Sequence, residues 1–219
     1  MKLAEAERLI RAELIKIYDG TESTGIALLL LEHCTSLSRT AIAMNKEQEL
    51  TSEEEGRIHM AIKRLLQHEP IQYIMQKAWF YEMELYVDKN VLIPRPETEE
   101  LVDWILNDIK ASGKDVFQKV PTDADVTKQL KILDIGTGSG GIALALKKAM
   151  PKAEVWGCDM SEEALNVARR NGSALNIRVD FQGIDFLDDA QQTFLPTVDI
   201  IVSNPPYIPL MEKETLNAN

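Results

Sequence analysis

The sequence predicts an α/β protein: a parallel, doubly wound sheet preceded by a small all-helical domain. Three observations carry that expectation. From Leu130 onward, short β-branched runs alternate with amphipathic helical segments. A glycine-rich turn, Gly136 to Gly141, joins the first of these strands to its helix. Residues 1 to about 75 carry helical spacing, caps and stops, with no strand pattern.

In the helical part, Leu3, Ala6, Leu9, Ile10, Leu14 and Ile17 recur at helical spacing to Tyr18, where Asp19-Gly20 is expected to stop them. A more buried helix is expected over Ile26 to Leu37 and a short one over Ser38 to Met44. Ser52 with Glu55 reads as a capping box opening a fourth helix, ending near His68 before Pro70. His33, His59 and His68 show no ligand spacing and are read as structural, so no metal is implied. The domain, residues 1–75, carries no chemistry of its own and is read as a substrate-docking element.

Trp79 to Val87 reads as one strand of a β-hairpin that turns at Asp88-Lys89-Asn90 and returns through Val91-Leu92-Ile93. With Pro94-Arg95-Pro96 it forms an expected linker and flap, residues 76–96. Pro96 lies just before an expected helix carrying Leu101, Val102, Ile105 and Ile109, with the acids Glu97, Glu99 and Glu100 in its first turn. Ala111 to Gln129 reads as a loop, and residues 97–219 as the sheet domain.

Leu130 to Ile135 is the first strand of that sheet, followed by a helix from Ile142 to Met150. Glycines at this turn admit a ligand close to the backbone, and the helix start offers unpaired N–H groups. Gly136, Gly138 and Gly141 also satisfy the dinucleotide pattern, so the loop alone names no cofactor. Glu154 to Cys158 is a second strand ending in Asp159, about 20 residues on, where a carboxylate suits a ribose diol. Ser161 caps the next helix. A third strand, Ile177 to Phe181, leads to Asp185-Phe186; the acid suits an adenine amino group and the ring its face, against the plainer reading of a loop acid and a core aromatic.

The fourth strand, Val198 to Ser203, runs into Asn204-Pro205-Pro206-Tyr207. The prolines end the ladder and hold Asn204 extended at the strand's carboxyl end, where open α/β sheets bind ligands. An amide or exocyclic NH2 is a poor nucleophile, because its lone pair is delocalised. A site that alkylates it must accept both N–H bonds and aim the lone pair. The Asn204 side-chain oxygen and a proline carbonyl supply two acceptors, and Tyr207 supplies a face for the flat group. A dinucleotide and a sulfonium nucleoside both fit the glycine loop and Asp159. The clamp separates them, since hydride transfer has no use for one.

Composition narrows the classes further. Lys+Arg 24 against Asp+Glu 35 gives a net charge of −11, which argues against a large nucleic-acid footprint. Two cysteines form no disulfide framework and suit a reducing cytoplasm, and no apolar run is long enough for a membrane span.

The chain resembles the HemK/PrmC family, the N5-glutamine methyltransferases of peptide chain release factors. The resemblance covers about residues 70 to 209 and rests on Glu69-Pro70-Ile71-Gln72-Tyr73-Ile74, Val91 to Glu99 with its Pro-Arg-Pro-Glu-Thr-Glu, Leu133 to Gly140, and Ile201 to Ile208. It implies a Rossmann-like methyltransferase sheet and S-adenosylmethionine as methyl donor, with S-adenosyl-L-homocysteine as product. The implied acceptor is the glutamine of a Gly-Gly-Gln motif in a class I release factor. Gly136, Thr137, Gly138, Ser139, Gly140, Asp159, Asp185, Phe186 and Asn204 would hold the cofactor; Asn204, Pro205, Pro206 and Tyr207 would hold the substrate amide and carry catalysis; Arg95 to Thr98 would lie near the cofactor. The alternatives are an adenine or cytosine amino-methyltransferase and an inactive nucleoside-binding fragment. Two departures stand out. Gln76 occupies a place where the family usually has glycine, so a different local turn is expected there. The chain also stops about a dozen residues after Tyr207, where the family's sheet goes on, so a C-terminally truncated sheet of low stability is expected.

Overall fold

A computed structural model describes residues 1–112 and 129–205. The chain divides into two compact units, Met1–Gln76 and Lys77–Asn219. The first holds α1 (Leu3–Leu14), α2 (Gly20–Thr35), α3 (Arg39–Met44), α4 (Ser52–Leu65) and α5 (Ile71–Met75). Leu3, Ile10, Leu14, Leu30, Leu31, Ile58 and Leu65 form its buried core. Asp19-Gly20 starts a helix as well as following one. The Asp19 carboxylate accepts from the N–H groups of Thr21 and Glu22, both at 2.8 Å, so α2 begins six residues earlier than expected. The box at α4 lies one residue earlier than the expected Ser52–Glu55: Thr51 caps the helix, and Glu54 returns the bond to its backbone at 2.8 Å. Gln76 ends α5 with φ 55°, so this side chain itself takes the left-handed turn that the expectation reserved for glycine.

The second unit opens with a hairpin, β1 (Ala78–Phe80) and β2 (Met83–Leu85), turning at Tyr81-Glu82 rather than at Asp88 to Asn90. Both turn residues have positive φ, 48° and 56°. β-Favouring composition concealed this turn, because tertiary bonds hold it. The Tyr81 N–H donates to Glu99 at 3.0 Å and its hydroxyl to Asp103 at 2.7 Å. Both acids lie on α6 (Pro96–Ala111), which includes Pro96 and so starts one residue earlier than expected. Phe80, Met83 and Leu85 are core residues of this second unit.

The sheet follows: β3 (Lys131–Ile135), α7 (Gly141–Ala149), β4 (Glu154–Asp159), α8 (Glu162–Ala174), β5 (Asp180–Gly183), α9 (Asp189–Gln192) and β6 (Ile200–Ser203). All four strands are parallel, in the order β5-β4-β3-β6. β5 begins three residues later than expected, because Asn176 is left-handed and the Ile177 N–H returns to Gly172 at 2.9 Å, closing α8. Side chains alternate across the sheet. Ile132, Val155, Phe181 and Val202 share one core with α6, α7 and α8. Leu133 and Cys158 face the other way, with Ile184 and Phe186. The expected loop from Ala111 to Gln129 lies mostly outside the described residues, and α6 keeps Ala111. No helix among the described residues is long and apolar enough to cross a membrane.

Candidate active site

The strand order places a switch point beside β3. The chain leaves β3 toward β4 and β5, then returns to β6 on the opposite side. A crevice therefore opens beyond the carboxyl ends of β3 and β6, where such sheets bind ligands. One cavity there is lined by Gly136, Thr137, Gly138 and Ser139 from the β3–α7 turn and by Asn204 from the end of β6. Arg95 and Thr98 close it from the start of α6, with Phe80, Leu92 and Ile93 nearby.

The glycine turn is held from several sides. Gly136 and Thr137 donate backbone bonds to the Cys158 carbonyl at 2.8 and 3.0 Å. Gly138 N–H donates to the Asp159 carboxylate at 2.9 Å, and Ser161 N–H to its second oxygen at 3.0 Å. Beneath the turn, buried Asp134 accepts from the Thr137 hydroxyl at 2.7 Å and the Ala143 N–H at 3.2 Å. Its other oxygen, Oδ1, is buried without a partner. Burial pushes the Asp134 carboxyl up to about 7, the Thr137 and Ala143 bonds opposing and the charge of Asp159 adding. Asn171 of α8, 1% exposed, donates to the carbonyls of Ser139 and Tyr86 at 2.9 and 3.0 Å and accepts from the Tyr86 N–H at 2.7 Å. Burial also raises the Cys158 thiol to about 11, so it stays protonated and is no nucleophile.

The turn fits a nucleoside cofactor. Gly136 and Gly138 have φ of 68° and 53°, and a Cβ on Gly136 would meet nothing within 4 Å. On Gly138 it would meet only the Gly136 carbonyl, at 4.0 Å. Both therefore leave open space that a side chain would fill. Gly141 serves packing instead, since Phe80 lies 3.2 Å from where its Cβ would be. Each Asp159 oxygen accepts one backbone N–H and keeps a lone pair for a diol.

Asn204 is held differently. Its amide Nδ2 donates to the Thr98 hydroxyl at 2.8 Å, and no described residue donates to its Oδ1. Pro205 is exposed; Pro206 and Tyr207 lie outside the described residues. Asp159 joins the cavity through Gly138 but does not line it. Asp185 and Phe186 are not in its lining. The Asp185 carboxylate accepts from Leu187 N–H at 2.9 Å in a local turn, and Phe186 packs against the Leu133–Cys158 cluster. Sequence reasoning missed Asn171 and Asp134. Asn171 had a signal: it occupies a buried position of the α8 stripe with Ala164, Val167 and Ala168, where a polar residue needs a reason.

Residues 5–75 match the family described as the PrmC N-terminal domain, and residues 115–217 the Methyltransferase small domain. The release factor glutamine methyltransferase of Streptococcus pneumoniae is 38% identical over 100% of this chain and 71% of its own length. That of Flavobacterium psychrophilum is 36% identical over 94% of this chain and 67% of its own. A looser likeness, with TM-score 0.41 and 19% identity, links 59% of this chain to 28% of a Pyrococcus abyssi tRNA (uracil-54, C5)-methyltransferase solved with S-adenosyl-L-homocysteine. With more than a third of positions identical across two relatives that it spans by two thirds or more, the chain belongs to the release factor glutamine methyltransferase family.

Proposed function

We propose that this chain transfers a methyl group from S-adenosylmethionine to the side-chain amide nitrogen, N5, of the glutamine in the Gly-Gly-Gln motif of a class I release factor, in the cytoplasm. The observation that carries the reading is Asn204 at the end of β6, lining one cavity with the glycine turn and keeping Oδ1 unengaged by any described residue.

When bound, the cofactor supplies an electrophilic methyl group on a sulfonium. Gly136 and Gly138 admit it by leaving open space where a side chain would stand, and Asp159 takes the ribose diol. Asn204 Oδ1 accepts one N–H of the target amide, and a carbonyl of Pro205 or Pro206 accepts the other. These bonds hold the amide plane so that the nitrogen lone pair faces the methyl, and they strengthen as nitrogen gains positive charge. No base has to act first, because the N–H becomes acidic only as that charge develops. Asp185 and Phe186 contribute to the adenine side. The helical unit docks the protein substrate, and the acidic chain makes no direct nucleic-acid contact.

The test is methyl transfer from labelled S-adenosylmethionine to an intact class I release factor, with its Gln→Ala version and duplex DNA as controls. Label on the intact factor alone is expected. Label on DNA, or on the Gln→Ala factor, would overturn the reading.

A further inference from the structure

The amide clamp needs its carbonyl, not its NH2, aimed at the target, and a carboxamide has no intrinsic preference between the two orientations. Turned over, Asn204 would present a donor to a donor, and the target amide would be repelled rather than held. Something in the fold must hold the carboxamide in place, so that the target amide, a donor, meets Oδ1 there. Thr98 is the described residue that touches the Asn204 side chain, 2.8 Å from Nδ2.

Thr98 is itself fixed. It sits in the first turn of α6, where its N–H donates to the Arg95 carbonyl at 3.0 Å. Its neighbour Glu99 accepts from the Tyr81 N–H, and one turn on Asp103 accepts from the Tyr81 hydroxyl. The hairpin therefore pins the start of α6, and Val102, Leu106 and Ile109 bury its inner face. Both Thr98 and Asn204 line the cavity. We propose that Thr98 is a positioning residue: its hydroxyl, hydrogen-bonded to Asn204 Nδ2, holds the carboxamide where Oδ1 is left for the acceptor amide. This inference rests on the reading of Asn204 as the amide clamp.

Two measurements test it on the full chain. The first uses no turnover: exchange of the Asn204 side-chain amide protons, followed by NMR in 15N-labelled protein. Thr98→Val, of the same shape without the hydroxyl, is expected to speed that exchange by about fivefold, the loss of one net hydrogen bond being worth about 1 kcal/mol. Thr98→Ser should keep it near the parent value. Equal exchange in parent and Thr98→Val would overturn the inference, whatever the activity. The second is a turnover cycle. Thr98→Val is expected to lower kcat by about tenfold or more while leaving affinity for S-adenosyl-L-homocysteine unchanged, Thr98→Ser to recover most of it, and Thr98→Val to add nothing in an Asn204→Ala background. A further loss in that background would mean that Thr98 acts by another route and would overturn the inference. Undiminished turnover in Asn204→Ala would instead sink the clamp reading, leaving the exchange result to decide the contact.

Discussion

The two halves of the cavity are secured in opposite ways. The glycine turn hangs on many bonds from its surroundings: Cys158, Asp159, Asp134 through Thr137, and Asn171 through Ser139. Asn204, across the cavity, has one described side-chain bond, to Thr98. The difference matches the two tasks proposed for them. A cofactor cradle has to hold one shape, and several bonds make each one partly redundant. An amide clamp has to keep an acceptor unengaged, so it cannot be saturated with partners. Losses in the turn should therefore be partial, and losses at the clamp abrupt.

Asn204→Ala is the sharpest way to break that contrast. Turnover should fall by about 10²–10³, the range for removing one preorganised partner of a developing charge, with affinity for S-adenosyl-L-homocysteine unchanged by calorimetry. Equal losses in both would make Asn204 part of the cradle.

Asp134 comes next, and its effect is on stability. Its carboxyl stands near 7 in the folded chain against an ordinary 3.8. The folded state thus binds the extra proton between those values. Its contribution to stability is full below about pH 4, is lost as pH rises toward 7, and is flat above. The span is on the order of 4 kcal/mol. Asp134→Asn, neutral at every pH, should remove that slope in denaturant titrations at pH 4 and pH 8. An unchanged slope would show that the carboxyl ionises normally.

Asn171→Ala leaves the Ser139 and Tyr86 carbonyls and the Tyr86 N–H without their partner. A stability loss of about 2 kcal/mol is expected, with cofactor affinity weakened only a few-fold because the other bonds to the turn persist. A collapse of affinity would show that the turn hangs on Asn171 alone. The smallest effect is predicted for Asp159→Ala: affinity for S-adenosyl-L-homocysteine about tenfold weaker, near 1.4 kcal/mol, with kcat at saturation close to the parent. A fall in kcat at unchanged affinity would move Asp159 out of the cofactor site.

Much of this architecture was legible in the chain. The strand-turn-helix at Gly136 to Gly141 and the strand end at Asn204 could be read because a strand period, a glycine run and a proline stop are properties of neighbours in sequence. Helix starts were read to within a residue at Pro96 and Thr51, since a cap needs only its own first turn. The hairpin turn was misread because Tyr81-Glu82 carries no turn composition and is held by Glu99 and Asp103, residues of another element. At Gln76 the reading failed for a related reason: a left-handed φ disfavours side chains by about 1–2 kcal/mol, which packing can outweigh.

By itself, then, the sequence determined the order and type of the elements and put the glycine turn and Asn204 at strand ends, because each follows from short-range geometry. Only the tertiary structure decided which residue meets the Asn204 side chain, which side chain ties down the glycine turn and which carboxyl is hard to ionise. Thr98 lies 106 residues from Asn204, and Asn171 lies 85 from Tyr86. The Asp134 carboxyl is shifted first of all by burial. Such contacts and desolvation exist only once distant segments have packed together.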